Sequence, residues 1–452
     1  MKLNYSNIYF IGIGGIGMSA LARYFNQKGM QVAGYDKTET PLTKQLVLEG
    51  IDIHYSDFGA DVIQYVGDIS STLVVITPAV PSDMKELQFL NEQGFTIKKR
   101  AEVLGLITAK YKTLAVAGTH GKTTTSTLLA HVLSSTSEKC NAFLGGISAN
   151  FNSNLLITPN SPWMVVEADE YDRSFHQLKP FSSIITSTDA DHLDIYKSKE
   201  ALVQAFEEYG NLVDPQGKLI LHHSVQVCKS IPSLTYGVDS EINTDYKGFN
   251  LRMLNGQFLM DVKTPTDIFK DVILGLPGIH NAENALSVIA ICESVGIEMK
   301  EIQPALENFK GVKRRFELVA RNENIVYIDD YAHHPTAINI LLDSVRLIYA
   351  DLPIYVVFQP HLFTRTKDFM TEFASSLSKA DDVILLPIYP AREEPIAGVT
   401  SEALVEMMTI ESRVLSPEEA LEALSRIEKG VILTVGAGNI DRLVEPISKM
   451  LS

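Results

Sequence analysis

The stretch Ala115 to Thr125 constrains the fold more than any other part of the chain. Thr113 to Ala117 is an apolar run that reads as a buried strand, Gly118-Thr119-His120-Gly121 as a tight loop, and Lys122 onward as a helix reaching about Leu133. A strand that passes through a glycine loop into a helix gathers backbone N–H groups at the positive end of the helix dipole. That combination is an anion cradle. Lys122 adds a cation for the β- and γ-phosphates of a nucleotide, and the Thr123 hydroxyl is placed to ligate magnesium. The loop and first turn, Gly118, Thr119, His120, Gly121, Lys122, Thr123 and Thr124, are therefore candidate nucleotide contacts. The match to the usual phosphate-loop pattern is partial, because Val116 stands where a glycine is expected.

A second glycine loop opens the chain. Asn7 to Ile11 reads as a strand, Gly12-Ile-Gly14-Gly15-Ile-Gly17 as the loop, and Met18 to Lys28 as a helix. The next strand, Gln31 to Tyr35, ends at Asp36. This is the dinucleotide fingerprint, a signal for a diphosphate ligand that does not distinguish NAD from a nucleotide sugar. Gly12 allows the tight turn, Gly14 the approach of a pyrophosphate, and Gly17 close packing of the helix on the strand. Leu73 to Thr77 is a further strand, Ser82 is expected to cap a helix from about Asp83, and another helix runs from about Ala101 to Ala109.

Beyond the phosphate loop, the strand Trp163 to Val166 leads into Glu167-Ala-Asp169-Glu170-Tyr-Asp172. Four carboxylates at the end of a buried strand need a cation or solvent. Beside a phosphate loop Mg²⁺ is the natural cation, with Glu167 nearest the strand end. The strand Ser183 to Thr186 leads to Asp189-Ala-Asp191-His192-Leu-Asp194, where His192 could ligate a second metal or be held by a neighbouring carboxylate. Lys199 to Asn211 reads as an amphipathic helix, and Lys247 to Val262 as a hairpin turning at Asn255-Gly256. Asn281 and Asn284 share one face of a helix that continues to about Val295. They suit either an adenine edge or a helix cap. Arg314-Arg315 is a candidate phosphate clamp. Strand Ile325 to Ile328 ends in Asp329-Asp330-Tyr331-Ala-His333-His334-Pro335, where Pro335 suits the first helical position and Asp330, Tyr331 and His334 are expected on a loop. Strand Ile354 to Phe358 leads to His361 and Arg365, the latter suited to a carboxylate.

The chain has 452 residues, 45% of them apolar, and a formal charge of −16. That charge argues against a nucleic-acid binder, so an anionic substrate must be held by a few local cations. Cys140, Cys228 and Cys292 show no metal spacing and read as reduced, buried thiols. No apolar run is long enough to span a bilayer, and the expectation is a soluble cytoplasmic protein.

In order and spacing, these motifs resemble the Mur ligase family. The resemblance runs from Gly12 to Met18 through Gly118 to Thr125, Glu167 to Glu170, Ala190 to His192, His280 to Asn284, Arg314 to Phe316, Asp329 to Pro335 and Gln359 to His361, ending at Gly436 to Asn439. It implies an α/β chain of three domains. Residues 1–110 would form a Rossmann-like domain that binds a UDP-sugar through Gly12, Gly14, Gly15, Gly17, Met18 and Asp36. Residues 111–312 would form a P-loop ATPase-like domain, and residues 313–452 a Rossmann-like domain that receives the amino acid. The implied activity joins L-alanine to UDP-N-acetylmuramate at the expense of ATP, with Mg²⁺ as cofactor and no nucleic-acid or membrane partner, in a monomer or homodimer. Lys122, His192, Arg315 and His334 would be catalytic. Thr123, Glu167 and His192 would hold metal. Asn281, Asn284, Arg314, Arg315, Asp329 and Asp330 would join the phosphate loop around ATP. Tyr331, His361 and Arg365 would face L-alanine. Family members often carry an arginine where this chain has Leu362, so amino-acid recognition leans on Arg365. The lysine that sister ligases carbamoylate has no obvious counterpart here. Competing readings are a tripeptide-recycling ligase of the same family, a nicotinamide-dependent dehydrogenase and a non-catalytic UDP-sugar sensor.

Overall fold

The computed structural model describes residues 5–189, 196, 198–227, 232–239, 241–254, 257–391 and 393–451. His192 with its flanking Asp191 and Asp194, Cys228 and the Asn255-Gly256 turn lie outside the described residues.

The first sheet is fully parallel, in the order β3-β2-β1-β4-β5. Its strands are β1 (Asn7–Ile11), β2 (Gln31–Tyr35), β3 (Asp52–His54), β4 (Thr72–Ile76) and β5 (Thr96–Lys99). The apolar runs of β1, β2 and β4 are legible in the sequence. The short, polar β3 and β5 are not. The helix expected to start at Asp83 under a Ser82 cap begins at Lys85, with Met84 at its N-cap and no side-chain bond from the cap residue. The acceptor comes from another loop: the Asp57 carboxylate takes the N–H groups of Lys85 and Glu86, each at 3.0 Å.

The second sheet follows the order β15-β14-β13-β12-β11-β10-β6-β9-β7-β8. Its strands are β6 (Lys112–Ala117), β7 (Asn141–Ser148), β8 (Ser153–Leu156), β9 (Trp163–Glu167), β10 (Ser182–Ile185), β11 (Leu219–His222), β12 (Ser233–Val238), β13 (Tyr246–Leu254), β14 (Gln257–Lys263) and β15 (Ile268–Leu274). Alternate residues of β6 enter two different cores, Ala115 and Ala117 one, Leu114 and Val116 the other. A strand covered on both faces must be apolar throughout, which is why it reads as an unbroken run. The helix Lys122–Ser135 is likewise buried along most of its length. Cys140 and Cys292 are buried.

The third sheet runs β16-β17-β21-β18-β19-β20. It comprises β16 (Glu317–Arg321), β17 (Ile325–Asp330), β18 (Ile354–Phe358), β19 (Asp382–Leu385), β20 (Glu411–Val414) and β21 (Gly430–Val435), with β16 alone antiparallel. By compactness the chain divides into two units. Met1–Leu276 with His280–Lys310 form one and Pro277–Ile279 with Gly311–Ser452 the other.

Within the first unit a buried polar network fixes the first sheet to the second. Arg23 donates to both carboxylate oxygens of Glu49 (2.7 and 2.8 Å) and to Asn154 at the sheet edge. The Asn154 amide in turn donates to the Ile16 carbonyl at 2.7 Å, just beyond the first glycine loop. The buried Arg23 and Asn154 and the half-buried Glu49 satisfy one another, so burying the first two costs little and their geometry is specific.

Candidate functional site

The loop after β6 is held open by its glycines and by the end of β10. Gly118 has φ +130° and Gly121 φ +78°, and a Cβ on Gly118 would stand 2.1 Å from the Thr186 hydroxyl. Thr119 N–H donates to the Ser187 carbonyl at 3.2 Å, and its hydroxyl lies 2.8 Å from the Ser187 hydroxyl. His120 N–H donates to that same Ser187 hydroxyl at 3.0 Å, while its ring lies 3.8 Å from Asp189. Gly121 is the N-cap of the helix and supplies no side-chain cap. The first-turn N–H groups of Lys122, Thr123 and Thr124 therefore have no side-chain acceptor from the cap residue, the condition under which a helix start takes an anion. Gly118 supplies the sharp turn, which is why Val116, fully buried in β6, need not be glycine.

Lys122 reaches back over the loop. Its ammonium donates to the Gly118 carbonyl at 2.7 Å and to Glu170 at 2.8 Å. Burial by itself would depress the lysine pKa, but the Glu170 and Glu167 carboxylates outweigh burial and raise it. Burial pushes the fully enclosed Glu170 up, against the pull of Lys122. Sequence reading does not single out Glu170 as a site residue, although it lies in the acidic stretch. The other acids separate by partner. Asp169 pairs with Arg100 at 3.4 Å and Asp172 with Lys99 at 3.1 Å. Protein cations thus meet three of the four acids of this stretch, leaving Glu167, the expected metal ligand, as the fourth. Glu167, the last residue of β9, points at β7, where a Cβ on Gly145 would lie 2.1 Å from its carboxylate. Gly145 is a second residue that sequence reading does not single out; only the β7–β9 pairing makes it significant.

The first glycine loop is held by its own acid. Gly12 turns at φ +86°. Asp36 accepts the N–H of Gly14 at 2.8 Å and of Thr38 at 3.1 Å. Gly15 is the N-cap of the helix Ile16–Gln27 and makes no side-chain cap bond. One expectation needs correction. Gly17 makes room for the Arg100 guanidinium, which lies 2.8 Å from where a Cβ on Gly17 would stand, rather than for the strand. The Met18 side chain is 2% exposed and packs beneath the loop, 3.7 Å from where a Cβ on Gly15 would stand.

Asn281 and Asn284 are both buried on the helix Ile279–Ser294. Asn281 is inside that helix and does not cap it. Together with Thr124 and Leu276 they line a narrow cleft beside the phosphate loop. Thr125 donates to the Asn284 amide oxygen at 2.9 Å, so the asparagine is tied to the phosphate-loop helix.

In the second unit the paired arginines divide their tasks. Arg314 is a strut: it approaches Asp329 at 3.4 Å and donates to the Gly436 carbonyl at 2.6 Å. Asp329 is fully buried and accepts a bond from Thr434; burial raises its pKa to about 6, with Thr434 and Arg314 opposing. Asp330 is not on a loop but is the last residue of β17. Its carboxylate accepts the N–H groups of Phe316 and Ala332, each at 2.7 Å. Both acids therefore brace the sheet end. Both guanidiniums lie over the Tyr331 ring, Arg314 at 5.2 Å and Arg315 at 4.9 Å, but Arg315 makes no ion pair among the described residues. His334 is the N-cap before Pro335 and packs on Phe369. Its neighbour His333, which the sequence reading leaves unassigned, belongs to the cluster with Arg315, Tyr331, His361 and Arg365. Its ring lies 6.2 Å from that of His361, which approaches Arg365 at 3.4 Å. Burial, followed by the Arg365 charge, lowers His333 to about 3 and His361 to about 4. The cap position of His334 is readable from Pro335, and that signal directs attention to His333.

A phosphate loop on the parallel part of a mixed sheet, followed by a second α/β unit with a histidine–arginine cluster, defines a nucleotide-binding α/β protein of modular build. The chain belongs to the Mur ligase family. The family's catalytic-domain model matches residues 7–112, the Mur ligase middle domain 116–292, and the Mur ligase glutamate ligase domain 314–438. A UDP-N-acetylmuramate–L-alanine ligase from Phocaeicola vulgatus is 46% identical over 452 residues, covering 99% of this chain and 98% of that protein. The enzyme of that name from Flavobacterium psychrophilum is 47% identical over 453 residues, covering 100% and 99%. The crystal structure of UDP-N-acetylmuramate-alanine ligase from Thermotoga maritima superposes with a TM-score of 0.85 at 30% identity, covering 98% of each chain. A murein peptide ligase from Psychrobacter arcticus matches at 24% identity and a TM-score of 0.72, a likeness of fold.

Proposed function

We propose that this protein joins L-alanine to the lactyl carboxylate of UDP-N-acetylmuramate, giving UDP-N-acetylmuramoyl-L-alanine, ADP and phosphate. The single observation that carries the reading is full-length identity of 46% to proteins of that name. The intact phosphate loop with its buried lysine supports it. In this reading the sugar carboxylate attacks the γ-phosphorus of ATP and ADP leaves. The alanine amine then attacks the acyl carbon of the acyl phosphate and phosphate leaves. Lys122 and the first-turn N–H groups bind the ATP phosphates, and Asn281 and Asn284 the adenine. The first glycine loop, from Gly12 to Gly17 with Asp36 bracing it, takes the UDP diphosphate. Arg315, whose guanidinium is not committed to an ion pair among the described residues, is better placed than Arg314 to meet phosphate charge. Arg365 takes the alanine carboxylate, and the neutral His361 beside it adds no charge against the ammonium group. Domain limits near residues 110 and 312, and a cytoplasmic location, go with this reading.

The residues also fit Mg²⁺. The Thr123 hydroxyl and Glu167 carboxylate are hard oxygen donors beside the phosphate loop, and the absence of a side chain at Gly145 leaves the carboxylate room. His192 is a third donor by the family resemblance. Bound Mg²⁺ would neutralise phosphate charge; Lys122 and the loop amides orient the triphosphate.

The test is ADP release by the purified protein with Mg²⁺, ATP, UDP-N-acetylmuramate and either L-alanine or the tripeptide L-alanyl-γ-D-glutamyl-meso-diaminopimelate. Release that requires both the sugar nucleotide and alanine is expected, and Lys122→Ala should abolish it in a protein that still folds but is less stable, because the change strands the buried Glu170 carboxylate. A preference for the tripeptide would transfer the chain to the recycling activity. Release without the sugar nucleotide would overturn both.

A further inference from the structure

Away from both site regions, a cavity of about 450 Å³ opens in the C-terminal unit. It lies at the opposite end of the strands from the histidine–arginine cluster. Tyr355 is the second residue of β18 and Asp382 the first of β19, whereas His361 lies beyond the last residue of β18. Its size is that of small-molecule sites, roughly 300–1,000 Å³. Tyr355 gives it an aromatic wall, its ring backed by the Gly430 backbone, whose missing Cβ would stand 2.7 Å from the ring. Ile384 and Leu424, both nearly inaccessible, form an apolar floor. The lining carries three cations, Arg413, Arg426 and Lys429, against Asp382 and Glu428, in a chain of net charge −16. Asp382 is neutralised where it stands, because Arg413 grips both of its oxygens at 2.8 and 3.1 Å, and the same guanidinium also lies 3.7 Å from Glu411. Arg426 is held by Glu422 at 2.6 Å. Lys429 forms no ion pair among the described residues.

We propose that this cavity is a second small-molecule site, for an organic monoanion with a flat apolar body. The ring system lies against Tyr355 and Ile384, and the anionic group turns to Lys429. Flat apolar surface with a few convergent polar groups is the ordinary composition of a ligand pocket. The inference does not depend on the ligase reading, since no residue of the phosphate loop or of the histidine–arginine cluster takes part.

The probe is 2-naphthoate, titrated into the full-length protein by calorimetry and by saturation-transfer NMR, with neutral 2-naphthamide as comparator. Saturable binding of the anion is expected. Lys429→Ala should weaken it by about two- to fivefold, as loss of one rim charge contact does. Ala423→Trp, which fills the cavity, should abolish it, and Lys122→Ala should leave it unchanged. Absence of saturable binding up to about 10 mM, a range that would catch even millimolar affinity, overturns the proposal. So does equal binding of the amide, or unchanged affinity in Lys429→Ala. If the tryptophan variant fails to fold by circular dichroism, the lysine variant and the amide decide the matter.

Discussion

Gly145→Ala tests the geometry of the phosphate site with a single methyl group. Gly145 sits in β7, away from the positive-φ region, so alanine suits its backbone at least as well as glycine. The added Cβ would lie 2.1 Å from Oε2, 2.5 Å from Cδ and 2.7 Å from Oε1 of Glu167, whereas ordinary contact begins at 3.4 Å. The carboxylate must therefore retreat by roughly 1 Å or rotate away, and a displacement of that size at a reacting centre costs about 100-fold in rate. That factor corresponds to about 2.7 kcal/mol of activation free energy. The assay is steady-state ADP release across a magnesium titration, with ATP binding measured separately by calorimetry. The expected result is a fall in kcat of about 100-fold and a higher magnesium requirement, with ATP affinity and melting temperature near wild type. A rate within about threefold of wild type would refute the assignment of Glu167 to the metal. A lost rate accompanied by a lowered melting temperature would instead make Gly145 a folding residue.

Arg314 and Arg315 should separate cleanly. Arg314→Ala strands the buried Asp329 carboxylate and should destabilise the C-terminal unit by roughly 3 kcal/mol in urea unfolding, whereas Arg315→Ala should keep stability and lose ligase turnover. Equal effects of the two would undo the division into strut and clamp. Arg365→Ala should raise the KM for alanine far more than that for ATP, and an unchanged alanine KM removes it from the pocket. His333 contributes a pH dependence of stability. Its folded pKa near 3 lies below the ordinary 6.5, so the unfolded chain binds the extra proton between those values. Stability is thus fully present above about pH 6.5 and falls as the pH drops towards 3. His333→Gln should flatten the melting temperature measured between pH 7 and 4, and an unaltered slope would contradict the burial argument.

How much of the fold is legible from sequence differs by element. The strands β1, β2, β6, β9 and β18 are legible because each is an apolar run covered on both faces. The short β3 and β5 are not, because Asp52-Ile-His54 and Thr96-Ile-Lys-Lys99 carry little apolar signal and are strands only through their neighbours. The helix at Lys85 escapes its expected start because its cap comes from Asp57, distant in sequence. The residue types of the candidate site are legible; their partners are not.

The order of glycine loops, acids and basic clusters along the chain determined by itself the α/β architecture, the phosphate cradle at Lys122 and the family resemblance. These are local patterns, set by backbone freedom, helix ends and apolar periodicity within a few residues. Tertiary structure alone decided that Glu170 is the acid under Lys122, that Gly145 makes room for Glu167, that Arg314 braces the sheet while Arg315 lies over Tyr331 with no ion pair among the described residues, and that His333 rather than His334 enters the cluster. Each of those choices depends on side chains from different strands or loops meeting within hydrogen-bonding or van der Waals distance. Such meetings are fixed by how the sheets pair and pack, information that no single stretch of sequence contains.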